Sequence, residues 1–288
     1  MNLAPGPGLA LTVLGSGGPF VNPWRASSGQ LVWLDGRARL LIDAGGGVFE
    51  RLGRTGADPA GLDAVLLTHL HADHSGDLPA VVFAGYLAER NRPLTVVGPS
   101  DAGGDGHQPG TTRFCELLFG TDGAWRYLHS FDGFGIDARD TSSDPAAAPR
   151  AVLDLGDLRV SSVGVPHGMM PAVAYRIDAA GASVVISGDV QRHHPPLAEL
   201  ARGVDLLIHD MALPERDVPH GHLHAKPSEV GRVAADAGCR ALLLTHVMPL
   251  LEGERTEAER LVRENFPGEV SWADDLRTLP VLPPPVRR

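Results

Sequence analysis

Short apolar runs that stop at a histidine or an aspartate recur along this chain. The clearest is 64–68, Ala-Val-Leu-Leu-Thr, which leads into His69-Leu-His71-Ala-Asp73-His74. A run this short and this apolar predicts a buried strand. Ser75-Gly-Asp77-Leu-Pro79 then starts a helix that reaches about residue 90. The pattern returns four times. The strand predicted over 158–165 ends at Pro166-His167-Gly168, and that over 183–187 at Gly188-Asp189. The stretch 204–208 ends at His209-Asp210, and 241–244 at Thr245-His246. Further strands are predicted over 9–15, 94–98, 151–155, 172–177 and 269–273. Residues 27–34 and 38–43 form a hairpin across Asp35-Gly36. Helices are predicted around 48–52, over 113–119, 123–127 and 255–266, and over 227–237, with Pro227 at its first position and Gly238 just past its end. Strands, then a helix, then a polar stretch, then strands and helices again predict two sheets with helices outside. The chain reads as a single α+β domain over 1–288, with an insert at about 99–150 that shapes the substrate entrance or an oligomer contact.

Side chains alternate along an extended strand, so His69 and His71 face one point, while Asp73 and His74 leave the following turn towards a second. Buried histidines and aspartates need partners, and divalent cations supply them. Counting strand ends, the metal-ligand candidates are His69, His71, Asp73, His74, His167, Asp189 and His246. A set of seven suits two divalent ions, with one carboxylate between them. Zinc, manganese and iron all accept these donors, zinc foremost. Asp43, at the end of 38–43, either supports the metals from outside or caps the helix behind it. The Gly15-Ser-Gly-Gly-Pro19 turn lacks the P-loop pattern and reads as a tight turn bringing backbone near the site. His107 and His129 read as non-ligands. His220 and His222 are candidates for adventitious metal only.

Composition narrows the partners. The formal charge is −10, and Lys226 is the only lysine. No basic run offers a footprint for nucleic-acid phosphates, so charge does not support a nucleic-acid partner. Cys115 and Cys239 have no short spacing and read as buried hydrophobes. No apolar run has the length of a membrane span, and no signal peptide is evident, so a cytoplasmic setting is expected.

These motifs resemble the metallo-β-lactamase superfamily, specifically its ribonuclease Z-like and arylsulfatase-like branch. His69-Leu-His71-Ala-Asp73-His74 matches the signature His-x-His-x-Asp-His. His167, Gly188-Asp189 and Thr245-His246 match the later landmarks in order. Leu14-Gly-Ser-Gly-Gly-Pro19, Leu41-Ile-Asp43-Ala-Gly45 and Val270-Ser-Trp-Ala273-Asp-Asp275 are also similar. Only about 99–150 lies outside the resemblance.

The resemblance implies a four-layer αββα sandwich of two mixed sheets. It implies that His69, His71 and His167 hold one metal, that Asp73, His74 and His246 hold the other, and that Asp189 bridges. The implied activity is hydrolysis of a phosphodiester or similar anionic ester by a hydroxide between the metals. Asp73 and the pair Asp210 and His224 are the catalytic candidates; Asp210 stands where the family usually has Glu. A homodimer is also suggested. The alternatives are a sulfate ester hydrolase of arylsulfatase type and a tRNA 3′-processing endoribonuclease. The long arm by which ribonuclease Z grips tRNA should fall between Pro171 and Leu207, where there is no length for it. A nucleic-acid-binding scaffold protein is the non-enzyme alternative, and the full ligand set argues against it.

Overall fold

The computed structural model describes residues 4–101, 108–219 and 221–283. Its elements run β1 (Leu9–Gly15), β2 (Gly29–Leu34), β3 (Arg37–Ile42), α1 (Val48–Thr55), β4 (Ala64–Leu66), α2 (Ala72–Ser75), α3 (Leu78–Leu87) and β5 (Leu94–Pro99). Then come α4 (Thr111–Phe119), β6 (Ile136–Thr141), β7 (Arg150–Asp154), β8 (Leu158–Val165), β9 (Ala172–Ala179), β10 (Ala182–Ile186) and α5 (Pro195–Leu200). The last are β11 (Leu206–Asp210), α6 (Pro227–Ala237), β12 (Ala241–Thr245), α7 (Pro249–Glu252), α8 (Arg255–Asn265), β13 (Glu269–Trp272) and β14 (Thr278–Pro280). One seven-stranded sheet has the order β14-β1-β2-β3-β4-β5-β6, the other β13-β12-β11-β10-β9-β8-β7. Both are mixed: β3 to β6 and β10 to β13 pair parallel, and the remaining neighbours antiparallel.

The apolar runs are continuous because both faces of their strands are covered. In β9, Val173, Tyr175 and Ile177 point between the sheets, and Ala172 and Ala174 point towards the helices. In β12, Leu243 faces the other sheet, and Leu242 and Leu244 face α6 and α8. Outside the first sheet, Val48 and Leu52 of α1, Val81 and Val82 of α3, and Cys115 and Phe119 of α4 pack on Leu41, Val65 and Val96. The layers are thus helices, sheet, sheet, helices, as expected. Both cysteines are free and buried.

Some predicted elements came out differently. The helix expected from residue 75 to about 90 is α3, which starts at Leu78, and the turn expected to carry Asp73 and His74 is the short helix α2. The one expected over 123–127 is only a 3₁₀ turn over Arg126–Ser130. The stretch expected as an insert supplies α4 and the edge strand β6, which pairs parallel with β5. Thr111, Phe119 and Leu128 bury its inner face. Its outer strand, Ile-Asp-Ala-Arg-Asp-Thr, is too polar to read as one because only one edge of it is paired. Strands β9 and β10, separated only by Ala180-Gly181, and helix α5 occupy most of 171–207, so no arm projects there. Among the described residues no helix is long and apolar enough to cross a membrane. Part of the Pro-rich tail, residues 284–288, lies outside the described residues.

Candidate metal centre

The parallel strands aim their carboxyl ends at one edge of the sandwich, and the site collects there. Asp189 and His246 follow β10 and β12, His167 follows the antiparallel β8, and His69 to His74 follow β4. The Gly-rich turn after β1 closes over them, with a bridge from Gly17 to Val247. Asp275 ties this turn down. Its carboxylate accepts from Ser16 N–H and hydroxyl and from Ala26 N–H, and pairs with Arg51. The turn therefore brings backbone to the site, as its composition predicts.

All seven candidate ligands meet here. His69 Nε2 lies 3.0 Å from His71 Nδ1, which is 3.3 Å from His167 Nε2. Asp189 Oδ2 is 3.6 Å from His167 Nε2 and 3.9 Å from His69 Nε2. On its other side, Asp189 Oδ1 is 3.5 Å from His74 Nε2 and 3.4 Å from His246 Nε2. Those two nitrogens are 3.2 Å apart, and Asp73 Oδ2 lies 3.3 Å from His246 Nε2 and 3.5 Å from His74 Nε2. Ligands about 2.0–2.1 Å from one tetrahedral ion stand about 3.3–3.4 Å apart. The spacings fit two such sets of four sharing Asp189.

The polar accounting gives the same answer. Asp189 Oδ1 is buried without a hydrogen-bond donor, although imidazole nitrogens surround it. An unpaired buried carboxylate oxygen is costly, and a cation relieves it. The donor set therefore fits a pair of divalent ions.

Supports outside the ligands orient the rings. His74 Nδ1 donates to Asp43 Oδ2 at 2.7 Å, freeing Nε2 for the site. Asp43 also accepts from the Thr68 N–H at 2.7 Å and from the Thr68 hydroxyl. Thr68 Oγ1 is 3.2 Å from His69 Nδ1. His167 Nδ1 donates to the Leu223 carbonyl at 3.1 Å. Asp43 thus takes the supporting role of its two readings. The start of α1 is served by Asp77 instead, whose Oδ2 accepts from Gly47 and Phe49 N–H. Thr68 and the Leu223 carbonyl were missed; the only signal for Thr68 was its place beside His69, and a backbone carbonyl leaves none. Such supports tune metal affinity about 10–100-fold. Asp43→Ala should weaken zinc binding by about that factor, mainly at the ion beside His74; a zinc titration against a chelating dye checks it.

Burial holds His69 well below the ordinary imidazole range, with the neighbouring His74 adding to it. Burial lowers His71 and His167 too, against nearby carboxylates. His74 and His246 go the other way. Burial pulls both down, but Asp189 with Asp43 outweighs it at His74, and Asp189 with Asp73 at His246. Burial would raise Asp189 and Asp73, yet the facing imidazoles hold Asp189 well below the usual carboxylate range and Asp73 below it. Three imidazoles are thus biased towards the neutral form, and two bind protons more readily than a free imidazole, so a cation there competes with protons.

Asp210 and His224 come together beside this cluster. His224 Nδ1 donates to Asp210 Oδ2 at 2.9 Å and lies 4.0 Å from Asp189 Oδ2. His209, wholly buried at the strand end, sits with Nδ1 2.9 Å from the Asp210 carbonyl. Burial would raise Asp210, but His209 and His224 outweigh it and keep the carboxyl below its usual range. His129 is bonded to the Phe119 carbonyl and takes no part in the site. His222 is exposed, and His107 and His220 lie outside the described residues.

Close backbone contacts fix the loop positions. A Cβ on Gly45 would fall 1.9 Å from the Asp73 carbonyl oxygen. Gly45→Ala should cost about 1–3 kcal/mol of stability and displace Asp73, which paired thermal melts and zinc counts would register.

The protein this geometry defines is a metal-dependent hydrolase of the αββα sandwich class. A family profile described as "Beta-lactamase superfamily domain" matches residues 38–247, and the chain belongs to that superfamily, in its metallo-β-lactamase-fold, ribonuclease Z-like branch. Two curated relatives are each named "Ribonuclease Z". The one from Mycolicibacterium paratuberculosis is 30% identical over 96% of this chain and 99% of its own length. That from Mycobacterium marinum is 30% identical over 95% and 99%. Among solved structures, the metallo-β-lactamase fold protein YhfI from Bacillus subtilis superposes with a TM-score of 0.74 at 23% identity, covering 94% of this chain and 98% of that one. The short form of human tRNase Z gives 0.72 at 20% identity, covering 95% and 99%. The fold carries divalent metal ions, and the His/Asp clusters that suit them are present.

Proposed function

We propose that this protein is a phosphodiesterase using two divalent ions, foremost zinc. His69, His71 and His167 would hold one ion, Asp73, His74 and His246 the other, and Asp189 both. The observation that carries the reading is the pair of donor sets sharing Asp189 with His224 alongside. When bound, two such cations neutralise an anionic ester and bring the pKa of water between them towards neutrality.

The chain's own groups handle the protons. Water oxygen bonds to phosphorus, and the bond from phosphorus to the leaving alcohol oxygen breaks, its electron pair staying on that oxygen. His224 delivers a proton to it, and Asp210 holds the ring by Nδ1 and balances the charge of the protonated imidazole. Asp73, ionised and lining the cavity, takes the proton that the attacking water loses. One water is consumed, and a monoester and an alcohol leave. The shorter Asp210 still reaches His224, so Glu is not required for this contact.

The test is turnover of bis(p-nitrophenyl) phosphate by zinc-loaded protein, with zinc counted per chain. His224→Ala should retain two ions and lose about 10²–10⁴-fold in kcat. A variant as fast as the wild type would remove His224 from the chemistry; no turnover by the loaded wild type would remove the phosphodiesterase reading.

A second reading, tRNA 3′ processing, is favoured by the names of the curated relatives. The net charge of −10 and the lack of an arm between 171 and 207 weigh against it, because binding to a phosphate backbone relies on basic groups. Incubation with precursor tRNA decides between the two.

A further inference from the structure

A cavity of about 350 Å³ opens onto the cluster, and its walls are not those of a polyanion site. His71, Asp73, His167, Asp189, His224 and His246 form its floor. Around them stand Pro19, Phe20, Leu213, Leu223, Met248 and Leu250. Among the described residues, neither lysine nor arginine lines it. Leu213 and Met248 belong to a small apolar cluster with Ala212, apart from the three main cores. These residues follow β11 and β12, so the same connections that supply His224 and His246 also supply this part of the wall. Phe20 and Leu250 stand at the rim, 53% and 47% exposed. Two large apolar side chains left in water beside a catalytic floor form part of a binding surface more readily than they serve packing. The neighbouring groove, which shares His167, does hold one cation, Arg192, but Asp101 and Asp144 line it as well.

Resting on the phosphodiesterase reading, we propose that the substrate is a diester with a single negative charge whose leaving alcohol is apolar, an aryl or bulky alkyl group. Two cations and His224 match one charged phosphoryl group. A second phosphate would meet Leu213, Leu223 and Met248, where its desolvation finds no donor. His224 shares the cavity with these side chains, so the oxygen it protonates belongs to the arm that they cover. The hydrolysis is the one written above: phosphorus gains the water oxygen, and the apolar alcohol departs with the His224 proton.

The experiment uses two monoanions of equal charge that have no ester bond to hydrolyse, diphenylphosphinate and dimethylphosphinate, titrated calorimetrically into the zinc-loaded protein. Covering a phenyl ring rather than a methyl group should make diphenylphosphinate bind about 10–100-fold more tightly. The exposed positions make Phe20→Ser with Leu250→Ser a variant that folds, as its thermal melt would verify, and it should narrow the gap several-fold. Equal affinities for the two monoanions, or a gap untouched by the double variant, would overturn the proposal. Either result leaves the phosphodiesterase reading intact, because that reading is tested by turnover and this one by binding.

Discussion

Asp189→Ala is expected to lower kcat/KM on bis(p-nitrophenyl) phosphate by at least about 10³-fold, and to reduce bound zinc at both positions. Every other candidate ligand serves one donor set; Asp189 presents Oδ2 to His69 and His167 and Oδ1 to His74 and His246. Its loss therefore weakens both ions and removes the charge separating their positive fields. It also changes the imidazoles. The raised affinity of His74 and His246 for protons comes in large part from Asp189, so the variant makes both rings more weakly basic. Asp189→Asn separates the two contributions, since it keeps one oxygen donor and the volume but drops the charge. It should retain more zinc than Asp189→Ala while remaining far slower than the wild type. Zinc per chain and steady-state kinetics read both. An Asp189→Ala protein holding two ions and within ten-fold of wild-type activity would show that Asp189 joins neither set.

The candidate ligands stood out in the sequence because they obey two local rules. A buried strand reads as an unbroken apolar run, and the residue after it must leave the core, so His167, Asp189 and His246 stand out as polar groups at the end of such runs. His69 to His74 added spacing to that rule. Asp210 and His224 were harder. Nothing local says that they touch; a 14-residue separation is closed by a loop over the cavity, and only the resemblance joined them. Where tertiary contact replaces a local signal, reading failed in a definable way. Asp77 serves α1 from 30 residues away, which left Asp43 with two equal roles. Strand β6 needs only one paired edge, so its polar residues hid it, and β14 is three residues held by β1. The apolar wall was invisible because Phe20, Leu213, Leu223 and Leu250 come from two separate loops and the short helix α7, each ordinary by itself.

Acidification should strip the two ions in order, the one beside Asp73, His74 and His246 first. A cation binds only the unprotonated ring nitrogen, so metal and proton compete. In the metal-free protein His74 and His246 titrate above the ordinary imidazole value of about 6.5, and His69, His71 and His167 below it. Protons thus begin to compete at the first pair near and above pH ~6.5, while the trio stays neutral further into acid. The folding linkage has matching signs. The raised pair contributes stability to the metal-free fold that is present below the unfolded value and lost as pH rises through the folded values. The lowered trio contributes stability present above the unfolded value and lost as pH falls towards theirs. Bound metal adds to the fold by mass action, about 2.7 kcal/mol for an ion at a hundred times its Kd. Chelation at neutral pH should therefore lower Tm by roughly 5–10 °C and end turnover. Zinc counted after gel filtration through a pH series should fall from two ions to one before it falls to none. Simultaneous release, or survival of the Asp73-side ion after the other has gone, would mean that the raised proton affinity of His74 and His246 does not govern metal release.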